Sequence, residues 1–115
     1  MAEQPSMVVI SQLEHLRVAA VDGEIDMATA DHLEQALVNA LEAGDLVVDL
    51  TACTFLDSSG VRALVTTMRT ARRLGHRLAL VMPSGKARTV LDLTGIIGEV
   101  PTFESRDDAV RALRG

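Results

Sequence analysis

Tryptophan and tyrosine are absent from this chain, and phenylalanine occurs twice, at Phe55 and Phe103. Aromatic residues make up 2% of the 115 positions and apolar residues 48%, so the core must be built from Leu, Val, Ile, Ala and Met. A sheet so poor in aromatic rings offers no stacking platform for bases, which excludes one common mode of RNA binding. Positive charge is also in deficit. The net charge of −5 disfavours nucleic acid and anionic membranes, which bind through Lys and Arg. The local cluster Arg69, Arg72, Arg73 and Arg77 reads as a solvated helix face. Cysteine occurs once, at Cys53, which excludes an intrachain disulfide and a four-cysteine zinc site and suits a small packed side chain. No run approaches the roughly 18 apolar residues that cross a bilayer. The opening Met1 to Ser6 lacks the basic and apolar blocks of a signal peptide, so the expected location is the cytoplasm.

What is present is a regular alternation of strand and helix signals. Met7 to Ile10 and Leu16 to Val21 are β-rich runs separated by the polar turn Ser11 to His15, which predicts an antiparallel pair ended by Asp22-Gly23. Leu33, Ala36, Leu37, Ala40 and Leu41 recur at offsets of three and four, predicting a helix over 28–42 capped by Asp26 or Thr29 and stopped at Gly44. Leu46 to Leu50 reads as a buried strand. A second helix begins at Ser58 or Ser59, buries Val61, Leu64, Val65, Met68 and Ala71, and stops at Gly75. Leu78 to Met82 is a further buried strand. Ser84 caps a third helix carrying Ala87, Val90 and Leu91, with Gly95 at its stop. Val100 to Phe103 is an edge strand, where Pro101 is tolerated because it has no N–H to donate. Ser105 opens a last helix with Asp107 and Asp108 in its first turn and Ala109, Val110 and Leu113 facing inward. The order β-β-α-β-α-β-α-β-α implies an α/β fold, with a mixed, mostly parallel sheet of about five strands and helices packed on it.

In such sheets, sites form where strands end and helices begin. Two segments qualify: Gly23-Glu24-Ile25-Asp26 and Thr54-Phe55-Leu56-Asp57-Ser58-Ser59-Gly60. Ser58 and Ser59 are good helix-capping residues, and Gly60 permits close approach of another backbone. On that reading the second segment is only a capped helix start. The alternative is that one serine accepts a phosphate. That group would bring about −1.5 to −2 charges, which the helix dipole and free amides would tolerate but a docked partner would not.

The strand–loop–helix segment Asp57-Ser58-Ser59-Gly60-Val61 resembles the signature of the STAS domain family, in particular its anti-sigma factor antagonists. Gly23-Glu24-Ile25-Asp26 is similar to that family's acidic loop, and Leu93-Thr94-Gly95-Ile96 to a third motif, in matching order. The resemblance implies a single STAS-like domain over 1–115, with a core from about 7 to 113 and a flexible lead-in over 1–6. It implies that the unphosphorylated chain binds an anti-sigma factor that is a serine kinase, frees a sigma factor for transcription (in stress response or sporulation), and is released when Ser58 is phosphorylated. A phosphoserine phosphatase would reset it. Glu24, Asp26, Asp57, Ser58, Ser59 and Gly60 would form the partner-binding set. ATP and Mg²⁺ would belong to the kinase, leaving this chain with no cofactor, no metal and no catalytic residue.

Two rivals remain. Within the fold, a STAS domain that is never phosphorylated would serve as a scaffold in another signalling or lipid-transport assembly. Outside it, a small serine hydrolase would need a base within reach of its serine, held by a third group. His15, His32 and His76 each read as surface residues, and no Gly-x-Ser-x-Gly elbow is present. With Cys53 they form no recognisable metal spacing. Gly85-Lys86 is not a phosphate-binding loop, because Leu80 and Ala87 stand where that motif needs Gly and Ser or Thr.

Overall fold

A computed structural model describes residues 6–83, 85, 88–89, 92 and 94–114. The five strands run in the order of the chain, β1-β2-β3-β4-β5. β1 (Ser6–Leu13) and β2 (Leu16–Ile25) are antiparallel, and every later neighbour is parallel. The hairpin turn is tighter than the polar run suggested. Ser11 and Gln12 pair with Val18 and Arg17, leaving only Glu14 and His15 to turn. Glu14 takes a left-handed φ of 56°, and the Gln12 side chain braces the turn by donating to the Glu14 carbonyl at 2.8 Å.

β2 does not stop at Asp22-Gly23. It continues to Ile25 through register shifts at Ala20/Asp22 and Gly23/Glu24, with Gly23 at φ 86°. The glycine absorbs a bulge where a strand end was expected. β3 (Asp45–Leu56) is likewise longer than Leu46 to Leu50, because Thr51 to Leu56 pair with this extension of β2. The sheet therefore projects beyond its packed middle at the strands' C-terminal ends.

Two cores result. α1 (Ala30–Glu42) and α2 (Ser58–Leu74) pack on one face, where Leu33, Leu37, Leu41 and Leu64 meet Ala19, Val21, Leu46, Val48, Leu50 and Leu80. The buried stripe of α2 is rotated from the expected one. Leu64 and Ala71 are fully buried as anticipated, but Ala63, Thr67 and Thr70 join them, while Val61, Val65 and Met68 are half-buried. Small residues there let α2 lie close to its neighbours. The hydroxyls of Thr67 and Thr70 donate to the carbonyls of Ala63 and Thr66 at 2.8 and 2.9 Å, so burying them leaves nothing unpaired. Gly75, at φ 74°, ends the helix as expected.

On the opposite face α3 (Arg106–Arg114) lays Ala109, Val110 and Leu113 against Leu16, Val18, Val47, Ala79 and Val81. Its first turn is tied to the sheet by Arg106, which donates to the buried Asp49 at 2.8 Å. Burial works to raise the Asp49 pKa. Hydrogen bonds from Thr51 and the Arg106 guanidinium outweigh it and hold the carboxyl below the usual range.

β4 (Leu78–Val81) is wholly buried, and β5 (Thr102–Phe103) is shorter than Val100 to Phe103, since Val100 turns into the α1/α2 core instead. Arg88, Thr89, Asp92 and Thr94 are helical, and Gly95, at φ 80°, leads into a 3-10 turn, Ile96–Gly98. Residues 1–5 of the expected lead-in lie outside the described residues. So do Ser84, Ala87, Val90 and Leu91 of the expected third helix, and Leu93 of the third motif. Ser6 is already in β1.

Candidate functional site

The two segments singled out in the sequence meet at the C-terminal edge of the sheet. Ile25 pairs with Leu56 in the β2–β3 register, and the Asp57 amide donates to the Ile25 carbonyl at 3.1 Å. Both helices of this face start from that edge.

At α2 the N-cap is Asp57, in extended conformation, with neither serine in that position. Its Oδ1 accepts from the amides of Ser59 at 2.8 Å and Gly60 at 3.2 Å. Asp caps as well as Ser, so three capping residues in a row carried no preference; the bond from Asp57 N to Ile25 decides the matter by fixing Asp57 in the strand conformation. Two consequences follow. Ser58, the first residue of the helix, is exposed, and its hydroxyl bonds to no described residue. Ser59 is half-buried and its hydroxyl is not needed as a cap.

Gly60 is buried, and its role is internal. A Cβ there would sit 2.4 Å from Leu56 Cδ1 and 2.7 Å from Ile25 Cγ2. The missing side chain lets the first turn of α2 rest directly on the ends of β2 and β3. Gly60 thereby shapes the site from within.

At α1 the turn is closed on itself. Thr29 is buried, accepts from the Asp26 amide at 3.0 Å and donates to the Glu24 carbonyl at 3.1 Å. Asp26 Oδ1 accepts from the Ala28 amide at 2.9 Å, and the Asp26 carbonyl from the amides of Thr29 and Ala30. Asp26 is half-buried and Glu24 exposed, so this edge carries three carboxylates, Glu24, Asp26 and Asp57, and one exposed serine.

Two neighbours on this edge had no assigned role in the sequence. Met27 is 80% exposed, and Phe55, paired in register with Glu24, is 49% exposed. The available signal for Phe55 was that one of only two aromatic residues stands two positions before the acidic-serine motif. In the third segment Gly95 supplies the left-handed turn and Ile96 is buried, so the described part of that motif is a packing element.

Among the described residues, no group of His, Cys, Asp and Glu is arranged to hold a metal ion. His15 and His32 are exposed as expected. His76 is half-buried and its Nδ1–H donates to the Leu41 carbonyl at 2.5 Å. It sits past the far end of α2, a 17-residue helix and hence about 25 Å from Ser58 at ~1.5 Å per residue. Cys53 is packed in the α1/α2 core, where burial pushes its thiol pKa up and makes it a poor nucleophile. No described helix is long and apolar enough to cross a membrane.

The family model of the STAS domain matches residues 7–109. The chain belongs to the STAS domain family. This STAS domain is 31% identical over 117 aligned positions to the anti-sigma-F factor antagonist RsfB of Mycobacterium tuberculosis, an alignment covering 96% of this chain and 93% of that protein. It is 31% identical over 90 positions to the anti-sigma-B factor antagonist of Bacillus subtilis, covering 77% of this chain and 83% of the other. Its fold superimposes on the crystal structure of an anti-sigma factor antagonist from Mycobacterium paratuberculosis with a TM-score of 0.88, at 31% identity, covering 96% of this chain and 95% of that one.

Proposed function

We propose that this STAS domain is an anti-sigma factor antagonist. Its unphosphorylated form docks on an anti-sigma factor serine kinase through the edge formed by Glu24, Asp26, Asp57 and Ser58, and phosphorylation of Ser58 releases it. A phosphatase acting on that phosphoserine restores docking. The observation that carries this reading is the division of labour at α2: Asp57 does the capping, so the fold makes no use of the Ser58 hydroxyl. A hydroxyl that is exposed and structurally idle is open to modification at little cost to stability.

The position also favours an electrostatic release. The sequence alone implied free amides to receive a phosphate, yet Asp57 already occupies those of Ser59 and Gly60. A phosphate on Ser58 keeps the favourable helix dipole but must compete with the Asp57 carboxylate for donors. Its charge therefore stays outward, beside Asp26 and Glu24, where it meets whatever is docked. Desolvating a doubly charged group without a partner costs more than a typical interface contact yields.

The test is to incubate the chain with its cognate kinase and ATP, map the modified residue by mass spectrometry, and measure binding of both forms by calorimetry. Phosphate on Ser58 with binding weakened at least tenfold is the expected result. An active kinase that leaves Ser58 unmodified, or a phosphorylated chain that binds as tightly as before, overturns the switch and favours the scaffold.

A further inference from the structure

Ser58 and Arg62 stand four residues apart at the start of α2, and both are exposed. Four residues turn a helix through about 400°, so the two side chains share one side of it, with Cβ atoms about 5–6 Å apart. Helical side chains lean toward the N-terminus, which carries the long Arg62 side chain back over the turn that holds Ser58. Arg62 has no counter-charge of its own. The arginines of α3, and Arg72, Arg77 and Arg88, are each held by an acidic side chain. Arg62 bonds to no described residue, and its neighbours one turn away on α2, Ser58, Ser59, Val65 and Thr66, carry no charge. Arg69 and Arg73 also lack an acidic partner, but Arg69 is already ~16 Å from Ser58 at ~1.5 Å per residue. That is about twice the screening length at physiological salt, so of these three only Arg62 reaches the serine.

We propose that Arg62 is the counter-ion of a phosphate on Ser58, drawing it along the exposed side of α2 and away from the Asp57 cap. The inference rests on the reading of Ser58 as the phosphate acceptor and adds how the fold bears the new charge. Asp57 is the residue next to the phosphate, and its carboxylate holds the amides of Ser59 and Gly60. A phosphate left without a cation would repel that carboxylate and compete for the same amides. Glu24, Asp26 and, in the first turn of α1, Asp31 add only negative charge at this end of the molecule. A guanidinium one turn along the helix resolves the conflict. It offers the phosphate planar paired donors, and an anion N-terminal to its cation is the favoured order at this spacing. One guanidinium offsets one of the phosphate's roughly two charges. The excess stays on the surface and still opposes a docked partner, so Arg62 protects the helix start without cancelling release.

The test uses the full chain with phosphoserine built in at position 58 during translation, so it needs no kinase and stands apart from the question of whether a kinase modifies Ser58. Phosphorus NMR follows the second ionisation of the phosphate with pH. Arg62→Gln should raise its midpoint by roughly half a unit, Arg62→Lys should restore part of the difference, and 0.5 M salt should shrink it. Thermal unfolding supplies the second reading. Arg62→Gln should leave the unmodified chain unchanged and lower the midpoint of the phosphorylated chain by about 2 °C. His32, exposed in the first turn of α1, is the other group at this end that can become a cation, so phosphorylated His32→Ala serves as the control. Equal phosphate titration in the native and Arg62→Gln chains overturns the proposal. So does a titration that moves with His32→Ala and not with Arg62→Gln. An equal loss of thermal midpoint in the unmodified Arg62→Gln chain also overturns it, because Arg62 would then be serving the fold whether or not Ser58 is modified.

Discussion

The helix starts of α1 and α2 leave the same edge of the sheet, each with an aspartate and a hydroxyl residue, yet they use them in opposite ways. At α1 the hydroxyl is consumed: Thr29 is buried and bridges the Asp26 amide and the Glu24 carbonyl. At α2 the aspartate alone does the holding, and the Ser58 hydroxyl is left over. The difference arises from strand geometry. Asp57 is still extended and is bonded through its amide to Ile25, so its carboxylate points forward over the next amides. Thr29 has turned helical before the helix begins, so its side chain reaches back into the loop. A structural hydroxyl and a spare one thus stand side by side, and only the spare one suits a reversible modification.

The most disruptive way to test this contrast is to fill the space beneath α2. Gly60→Ala places a methyl group against Leu56 and Ile25 at distances no Cβ adopts. The first turn must lift or the core must shift, at a cost of about 3 kcal/mol, read as a lowered midpoint in chemical denaturation. At α1 the corresponding third residue, His32, is exposed, and His32→Ala should leave the midpoint within ~0.5 kcal/mol of the native value. Equal effects at the two positions would mean that α2 does not rest on Gly60.

Next in size is removal of the consumed hydroxyl. Thr29→Ala leaves the Asp26 amide and the Glu24 carbonyl without their partner in a part-buried turn, costing about 2 kcal/mol. Thr29→Ser keeps the hydroxyl and should restore most of that loss in thermal unfolding. If Ser fails to rescue, the contribution of Thr29 lies in its methyl group and not in the hydrogen bonds.

Smaller again is the cap of α2. Asp57→Ala frees the Ser59 and Gly60 amides at the helix mouth, costing about 1 kcal/mol, while Asp57→Asn retains a capping oxygen and should cost only a few tenths. The asparagine variant also separates capping from charge. Once Ser58 is phosphorylated, Asp57→Asn should bind the partner less weakly than phosphorylated native chain, because one of the repelling charges is gone. Identical binding by the two phosphorylated chains would remove Asp57 from the electrostatic account.

How much of this could be read from the chain depends on whether a feature is periodic. The α1 stripe of Leu33, Leu37 and Leu41 and the stop at Gly75 follow from helical spacing and left-handed turns, and both stand in the structure. The alternating strand order was legible for the same reason, and the STAS resemblance rested on three motifs in register. The extension of β2 and β3 was not. Two register shifts interrupt the inside–outside alternation from Ala20 to Glu24, and the run Thr51 to Leu56 buries only Cys53 and Leu56, a spacing of three that matches neither strand period nor a hydrophobic block. Asp57 was misjudged because local propensity cannot rank Asp, Ser and Ser as caps; a bond to Ile25, thirty-two residues earlier in the chain, ranks them. Gly60 was read as allowing close approach of another backbone, and what lies against it is the side chains of Ile25 and Leu56.

The smallest expected effect on stability is the most informative about function. Ser58→Ala deletes an exposed hydroxyl that no described residue uses, so unfolding should move by less than ~0.5 kcal/mol. Beside Thr29→Ala at the neighbouring helix, this is the sharpest form of the comparison: two hydroxyls at two helix starts, one costly to lose and one nearly free. The same variant should bind the unmodified chain's partner with unchanged affinity but resist release on addition of ATP, since the acceptor oxygen is gone. A loss of stability approaching that of Thr29→Ala would show Ser58 to be a structural residue after all. Binding that collapses in Ser58→Ala without ATP would show that the partner reads the hydroxyl itself, which makes phosphorylation a steric block on a hydrogen bond and not chiefly a charge effect.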